Sequence, residues 1–236
     1  MSSTWRVALL GGVLGLVTVA VVVGLVLFGV VRTGAKRAQA SAEEPVLVAL
    51  ALPNADGVNV PRAIDLYARV NGTLTLTAVD PGQAATVSGT SAKTLADAYT
   101  FGGGAALADA YALSGSAAAP AWVVVGQDPW NALRGGTPVE LNIPAPLDVF
   151  DGTRLYSYSQ GTVDVPVAEV RHVLDGAAFL SHALRQNIRE QLGDSLVESL
   201  VSAGAAHRIE LRTNLSDEDL SAWFAILGPA VRAQGE

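Results

Sequence analysis

The 236-residue chain has no cysteine and one methionine, and only 16% of its residues are charged. Without cysteine there can be no disulfide, thiolate zinc site, iron–sulfur ligation or cysteine nucleophile. Basic side chains are scarce and unevenly placed. Of the 15, Arg6, Arg32, Lys36 and Arg37 precede Glu43, whereas all 22 acidic residues lie at or after it. The remaining 11 basic residues face those 22 acidic ones, so the region from Ala42 onward carries a net −11. A field of that sign repels phosphate backbones, and no nucleic-acid partner is expected. Half of the residues are apolar, enough for a sizeable core and too many for a disordered chain.

Val7 to Val31 contains no charge, and Thr18 is its only polar side chain. As a helix rising about 1.5 Å per residue it would span roughly 37 Å, enough to cross a hydrocarbon core. The sequence therefore predicts a transmembrane helix over 7–31 and a linker over 32–45. Arg32, Lys36 and Arg37 against Arg6 lean toward a cytoplasmic C-terminus, but a long acidic domain translocates largely regardless of charge. The expected arrangement is a cytoplasmic N-terminus over 1–6 with an extracytoplasmic α/β domain over 46–236. The run is longer than the apolar core of a cleaved signal peptide. Gly11 and Gly15 match the small-residue spacing of packed membrane helices, which offers a route to a homodimer.

Beyond the linker, Val46–Leu52 reads as a buried strand, and Asn71-Gly72 joins the strands 64–70 and 73–79 as a hairpin. The Ala-rich stretch 91–112 is helix-prone but split into two helices by Gly102-Gly103-Gly104. A strand at 122–125 precedes a short helix, with Asp128 as its cap and Pro129 at its first position. Further strands are expected at 139–143, 155–159 and 208–213. Helices are expected at 167–173 and 175–201, the second open to interruption at Gly193. Ser216 caps a last helix whose first turn holds Asp217, Glu218 and Asp219, which suits the helix dipole. Strands alternating with helices predict a layered sheet flanked by helices. The sequons at Asn71 and Asn214 fall where turn and cap geometry already explain the asparagines. His172, His182 and His207 show no ligand spacing and read as surface or interface residues.

No Gly-x-Ser-x-Gly elbow and no phosphate-binding Gly…Gly-Lys-Ser/Thr loop is present. The segment Leu95-Ala96-Asp97-Ala98-Tyr99-Thr100-Phe101-Gly102-Gly103 resembles the Ile-Asn-Ala-Ala-Tyr-Ala-Tyr-Gly-Gly segment of the LytR–CpsA–Psr family. Arg134-Gly135-Gly136 and the run 139–147 resemble that family's Leu-Gly-Gly-Val-Asp-Val turn and Pro-x-Pro-Leu-like strand. Val170-Arg171-His172-Val173-Leu174-Asp175-Gly176-Ala177-Ala178-Phe179 is similar to its Val-Arg-x-Arg…Asp-Gly-Asp-Phe stretch. Arg185-Gln186 is similar to its terminal Arg-Gln, and Arg62-Ala63 with Asp65 sits where the family has Arg-Ser-Asp-Thr. Together these cover roughly 46–201, in order.

The resemblance implies a protein that binds a polyisoprenyl pyrophosphate lipid and attaches its glycan to the cell wall. It implies arginines that hold the pyrophosphate, and carboxylates that hold Mg²⁺ or act as base. Several of those charges are missing here. Val173 replaces an arginine, Ala178 an aspartate and Ser181 an arginine, and 85–90 reads Ala-Thr-Val-Ser-Gly-Thr where Pro-Arg-Asp is expected. One positioned cation is commonly worth a factor of ~100 or more in such chemistry. The expectation is a degenerate member with no catalytic residues, no cofactor and no metal. It would sit in the cell membrane as a binding or scaffolding component of the envelope. Arg62, Asp65, Arg171 and Arg185 would be the remnant of an anion pocket, with isoprenoid-lipid binding retained. Two alternatives stand beside it: a divergent Mg²⁺-dependent transferase, and an unrelated α/β adaptor for envelope proteins.

Overall fold

The computed structural model describes residues 44–70, 73–87, 89–115, 119–203 and 211–234. The expected span over 7–31, and all but the last two residues of the linker over 32–45, lie outside them. Among the described residues no helix is long and apolar enough to cross a membrane.

The run at 46–52 forms β1 (Val46–Pro53), the middle strand of a five-stranded sheet. Its neighbours are β2 (Asn59–Val70) and β4 (Ala121–Gly126), with β3 (Thr73–Val79) at one edge and β9 (Arg212–Thr213) at the other. β1 and β4 run parallel, and every other pair in this sheet is antiparallel. β1 is apolar at every position because both faces are covered. Leu47, Ala49 and Ala51 pack beneath α1 (Leu95–Leu113), beside Leu95, Ala98 and Leu107. Val46, Val48, Leu50 and Leu52 face the opposite layer with Trp130, Ile188, Leu192 and Trp223. That layer contains α2 (Gln127–Leu133), α3 (Val170–Ala177), α4 (His182–Ala203) and α5 (Asp217–Gln234). Two small antiparallel pairs complete it: β5 (Val139–Ile143) with β8 (Gly161–Val165), and β6 (Leu147–Phe150) with β7 (Leu155–Tyr158).

The hairpin forms with Val70 opposite Thr73, as the Asn-Gly pair predicts. The glycine run divides α1 into two helical stretches, as expected. Gly102 and Gly103 leave helical geometry, Gly103 at φ +63°, and a Cβ on Gly104 would lie 2.2 Å from the Trp122 ring. The start of α1 is closed by a capping box. Thr94 Oγ1 accepts from the Asp97 amide at 3.1 Å, and Asp97 Oδ2 accepts from the Thr94 amide at 3.1 Å. Thr94→Ala should cost about 1 kcal/mol and lower Tm by about 2–4 °C, measured by thermal denaturation.

Three expectations need correction. α2 is capped by Gly126, with no side-chain cap, so Asp128 and Pro129 sit inside its first turn. There the amide that proline lacks would be unbonded anyway. The break in the long helix falls at 178–181, not at Gly193. Amides of Ala178, Phe179 and Leu180 bond three residues back, to Asp175, Gly176 and Ala177, and this tightening ends α3. His172 is buried at 3% exposure and stacks on Tyr156 at 3.9 Å, so it is a core residue. Of the strand expected at 208–213, residues 208–210 lie outside the described residues, and Arg212–Thr213 form β9.

The expected helix cap is present. Ser216 Oγ accepts from the Asp219 amide at 3.1 Å and donates to Asp219 Oδ2 at 2.6 Å. Asn214 is structural too, its Oδ1 accepting from the Trp122 amide at 2.8 Å.

Candidate functional site

The register of β2 against β1 shifts between Leu50 and Ala51: Leu50 faces Ala63 while Ala51 faces Pro61. Arg62 is the extra residue of this bulge, and a bulge re-aims its side chain out of the ladder. Arg62 leaves the sheet toward α3, where its Nη2 donates to Asp175 Oδ1 at 2.7 Å. A second ion pair lies nearby. Arg189 Nη1 on α4 donates to Asp80 Oδ1 at 2.6 Å, at the end of β3. Between the pairs is a pocket of about 250 Å³ lined by Arg62, Arg185 and Arg189. Pro61, Pro81, Gly82, Leu174 and Ala178 contribute to its wall.

Arg185 forms no ion pair among the described residues. One guanidinium nitrogen, Nη1, donates to the Ala178 carbonyl at 3.3 Å, and Nε is buried without a partner. The Nε of Arg62 is likewise buried and unpartnered. Buried N–H groups without acceptors are uncommon in folded proteins, and here two of them belong to arginines lining one cavity. Three guanidinium groups against two carboxylates leave the lining one positive charge in excess, within a domain at −11.

Of the residues singled out in the sequence, the structure brings Arg62 and Arg185 together. Arg171, half-buried on α3, is not among the lining residues. Asp65 is not there either. It shares a sheet face with Ala63 and Tyr67 and points at α4, where a Cβ on Gly193 would come within 2.1 Å of its Oδ2. It is 4% exposed, and burial, then Asp194, then Glu190 push its carboxyl up to about 7.

Sequence reasoning missed Arg189. Its signal was the spacing of four from Arg185, which places both on one helix face. The Pro-Arg-Asp counterpart is expected at 85–90. The residues that follow β3 directly are Asp80-Pro81-Gly82-Gln83, and Pro81 and Gly82 line the pocket.

Arg134, at the end of α2, has a structural task. Its Nη1 donates to Ser195 Oγ at 2.9 Å, and its Nε donates to the Thr137 carbonyl at 3.0 Å, tying the turn to α4.

No protein-family model matches the sequence, and no curated protein does. Solved structures do match the fold. B. subtilis TagV superposes with a TM-score of 0.53 at 13% identity, over 79% of this chain and 80% of that one. A LytR-Csp2A-Psr enzyme from Actinomyces oris gives 0.52 at 16% identity, over 84% and 83%. The fold is that of the LytR-CpsA-Psr enzymes. TagT bound to LI-WTA gives 0.52 at 14% identity, over 82% and 78%. The ordered sequence resemblance and the fold thus lead to the same group of structures.

Proposed function

We propose that the protein is a membrane-anchored component of the cell envelope that holds the phosphate-bearing head of an isoprenoid lipid without transferring its glycan. The observation that carries this reading is the convergence of Arg62, Arg185 and Arg189 on one pocket, two of them with buried unpartnered Nε atoms. A pocket of about 250 Å³ suits a head group, being smaller than the ~300–1,000 Å³ usual for whole drug-sized ligands. Its wall is apolar on the α3 side, and Phe179, 91% exposed, directly follows the lining residue Ala178. An isoprenoid chain leaving the pocket would meet apolar surface there. The proposed cell-membrane location rests on the uncharged run 7–31, and the placement of the domain outside rests on the likeness to the LytR-CpsA-Psr enzymes.

Three features support holding over transfer. No Pro-Arg-Asp sequence follows β3: 80–83 reads Asp-Pro-Gly-Gln and 85–90 reads Ala-Thr-Val-Ser-Gly-Thr. Asp80 and Asp175 are each engaged by an arginine, leaving neither free as a base. Asp65 is turned away from the pocket and shielded by α4. For Mg²⁺, which is usually held by one or two carboxylates together with substrate phosphates, the donor set beside the pocket does not fit, because Asp80 and Asp175 are each already held by an arginine. No step is therefore routed through the ion. The transferase alternative draws on Arg189 as a relocated arginine, but it also needs a carboxylate at the pocket that is free to act.

Inorganic pyrophosphate titrated into the full chain in detergent should give saturable heat. Arg185→Ala should weaken binding by about 10–100-fold, the worth of one or two charge-assisted hydrogen bonds. Equal affinity for both proteins would remove the pocket from the account.

A further inference from the structure

β3 is an edge strand, and its open side departs from the usual protections. Thr73–Val79 contains no lysine, no proline and no other charged residue, and its pairing to β2 is regular over all seven residues. Among the described residues no backbone hydrogen bond joins β3 to anything besides β2. Natural sheets guard such edges with charge, proline or a bulge, because unpaired N–H and C=O groups form a template for another strand.

The sequence of this edge matches itself. Thr73-Leu74-Thr75-Leu76-Thr77 reads the same in both directions about Thr75. Paired antiparallel with a second copy about a twofold axis at Thr75, each Thr meets a Thr and each Leu a Leu. Such self-complementarity is what a twofold interface requires. Thr–Thr pairs across strands are favourable. Leu74 and Leu76 are only partly buried, packed at the margin of the core on the side of α4 and α5. A second copy would place its own leucines against them and cover that margin.

We infer that β3 is a homodimer interface, through which two copies of this chain join their sheets into one ten-stranded sheet. The five-strand sheet is doubled about Thr75, and the arginine pocket of each copy keeps its own lining.

The chain has no cysteine, so a single introduced thiol reports the register. In the full chain in detergent, Thr75→Cys should oxidise to a covalent dimer. Residues directly opposite in antiparallel strands have Cα atoms ~4.5–5.5 Å apart, within disulfide reach. Thr77→Cys should stay uncrosslinked, because its counterpart lies four residues along, ~14 Å away. Thr75→Lys sets two like charges opposite each other. It should weaken dimerisation at least tenfold by analytical ultracentrifugation, with Tm confirming that the fold is kept. Three outcomes would overturn the inference. They are a monomeric wild type, Thr77→Cys crosslinking as readily as Thr75→Cys, or a dimer that survives Thr75→Lys and so depends on some other contact.

Discussion

Gly193→Ala should lower Tm by about 2–12 °C, although alanine is the better helix former. The added methyl would lie 2.1 Å from Asp65 Oδ2, and the carboxylate cannot easily retreat because Asp65 is 4% exposed beneath α4. Overpacking of this kind costs ~1–3 kcal/mol, and each kcal/mol moves Tm by ~2–4 °C in a domain of this size. The opposing gain in helix propensity is ~1 kcal/mol or less. Sterics therefore win, and the sign of the result tests the reason. In an Asp65→Ala background the obstacle is gone, so Gly193→Ala should become neutral or stabilising by ~0.5–1 kcal/mol. Destabilisation of equal size in both backgrounds would show that Asp65 is not what Gly193 accommodates.

Asp65 also gives the domain an unusual dependence on pH. Its carboxyl titrates at about 7 in the folded protein, against 3.8 when free. The charged groups that raise it are Asp194 and Glu190 on α4, and Tyr67 on the same strand face is itself shifted upward by burial and by Asp65. A carboxyl whose folded value is raised binds more protons in the native state between the two values. Stability from this group is therefore present below about pH 4 and is lost as pH rises toward 7. The loss approaches ~1.4 kcal/mol per pH unit inside that window. Asp65→Asn cannot ionise, so it should be markedly more stable than the wild type at pH 8 and closely similar at pH 4. Urea denaturation at both values measures the difference. Parallel stability curves for the two proteins would contradict the assignment.

The parts of the fold that were legible in the sequence are those fixed by local chemistry. The unbroken apolar run of β1, the Asn-Gly hairpin, the glycine kink of α1 and the Ser216 cap each depend on residues adjacent in the chain. The site was legible only in fragments. Arg62 and Asp65 differ by an odd number of positions, so a regular strand would send Arg62 to the α1 face. The bulge turns it instead toward α3, in the layer Asp65 also faces, while Asp65 itself points at Gly193 and not into the pocket. Grouping them in one pocket followed motif order rather than strand geometry. Arg62 and Asp175 lie 113 residues apart in sequence, and Arg189 and Asp80 lie 109 apart, so no local pattern announces either pair. Gly193 looked like a helix breaker because glycine lowers helix propensity. In the folded domain it is the one residue small enough to pass Asp65, and packing outweighs propensity.

The central claim is that the arginine pocket holds a lipid-linked phosphate and does not act on it. The most direct test incubates the full chain in detergent with a radiolabelled glycan on an isoprenoid pyrophosphate, Mg²⁺ and cell-wall acceptor, then follows the label. The account predicts that label co-purifies with the protein as intact lipid, that Arg185→Ala loses it, and that none reaches the acceptor above a no-protein control. Label accumulating on the acceptor over successive turnovers would contradict it.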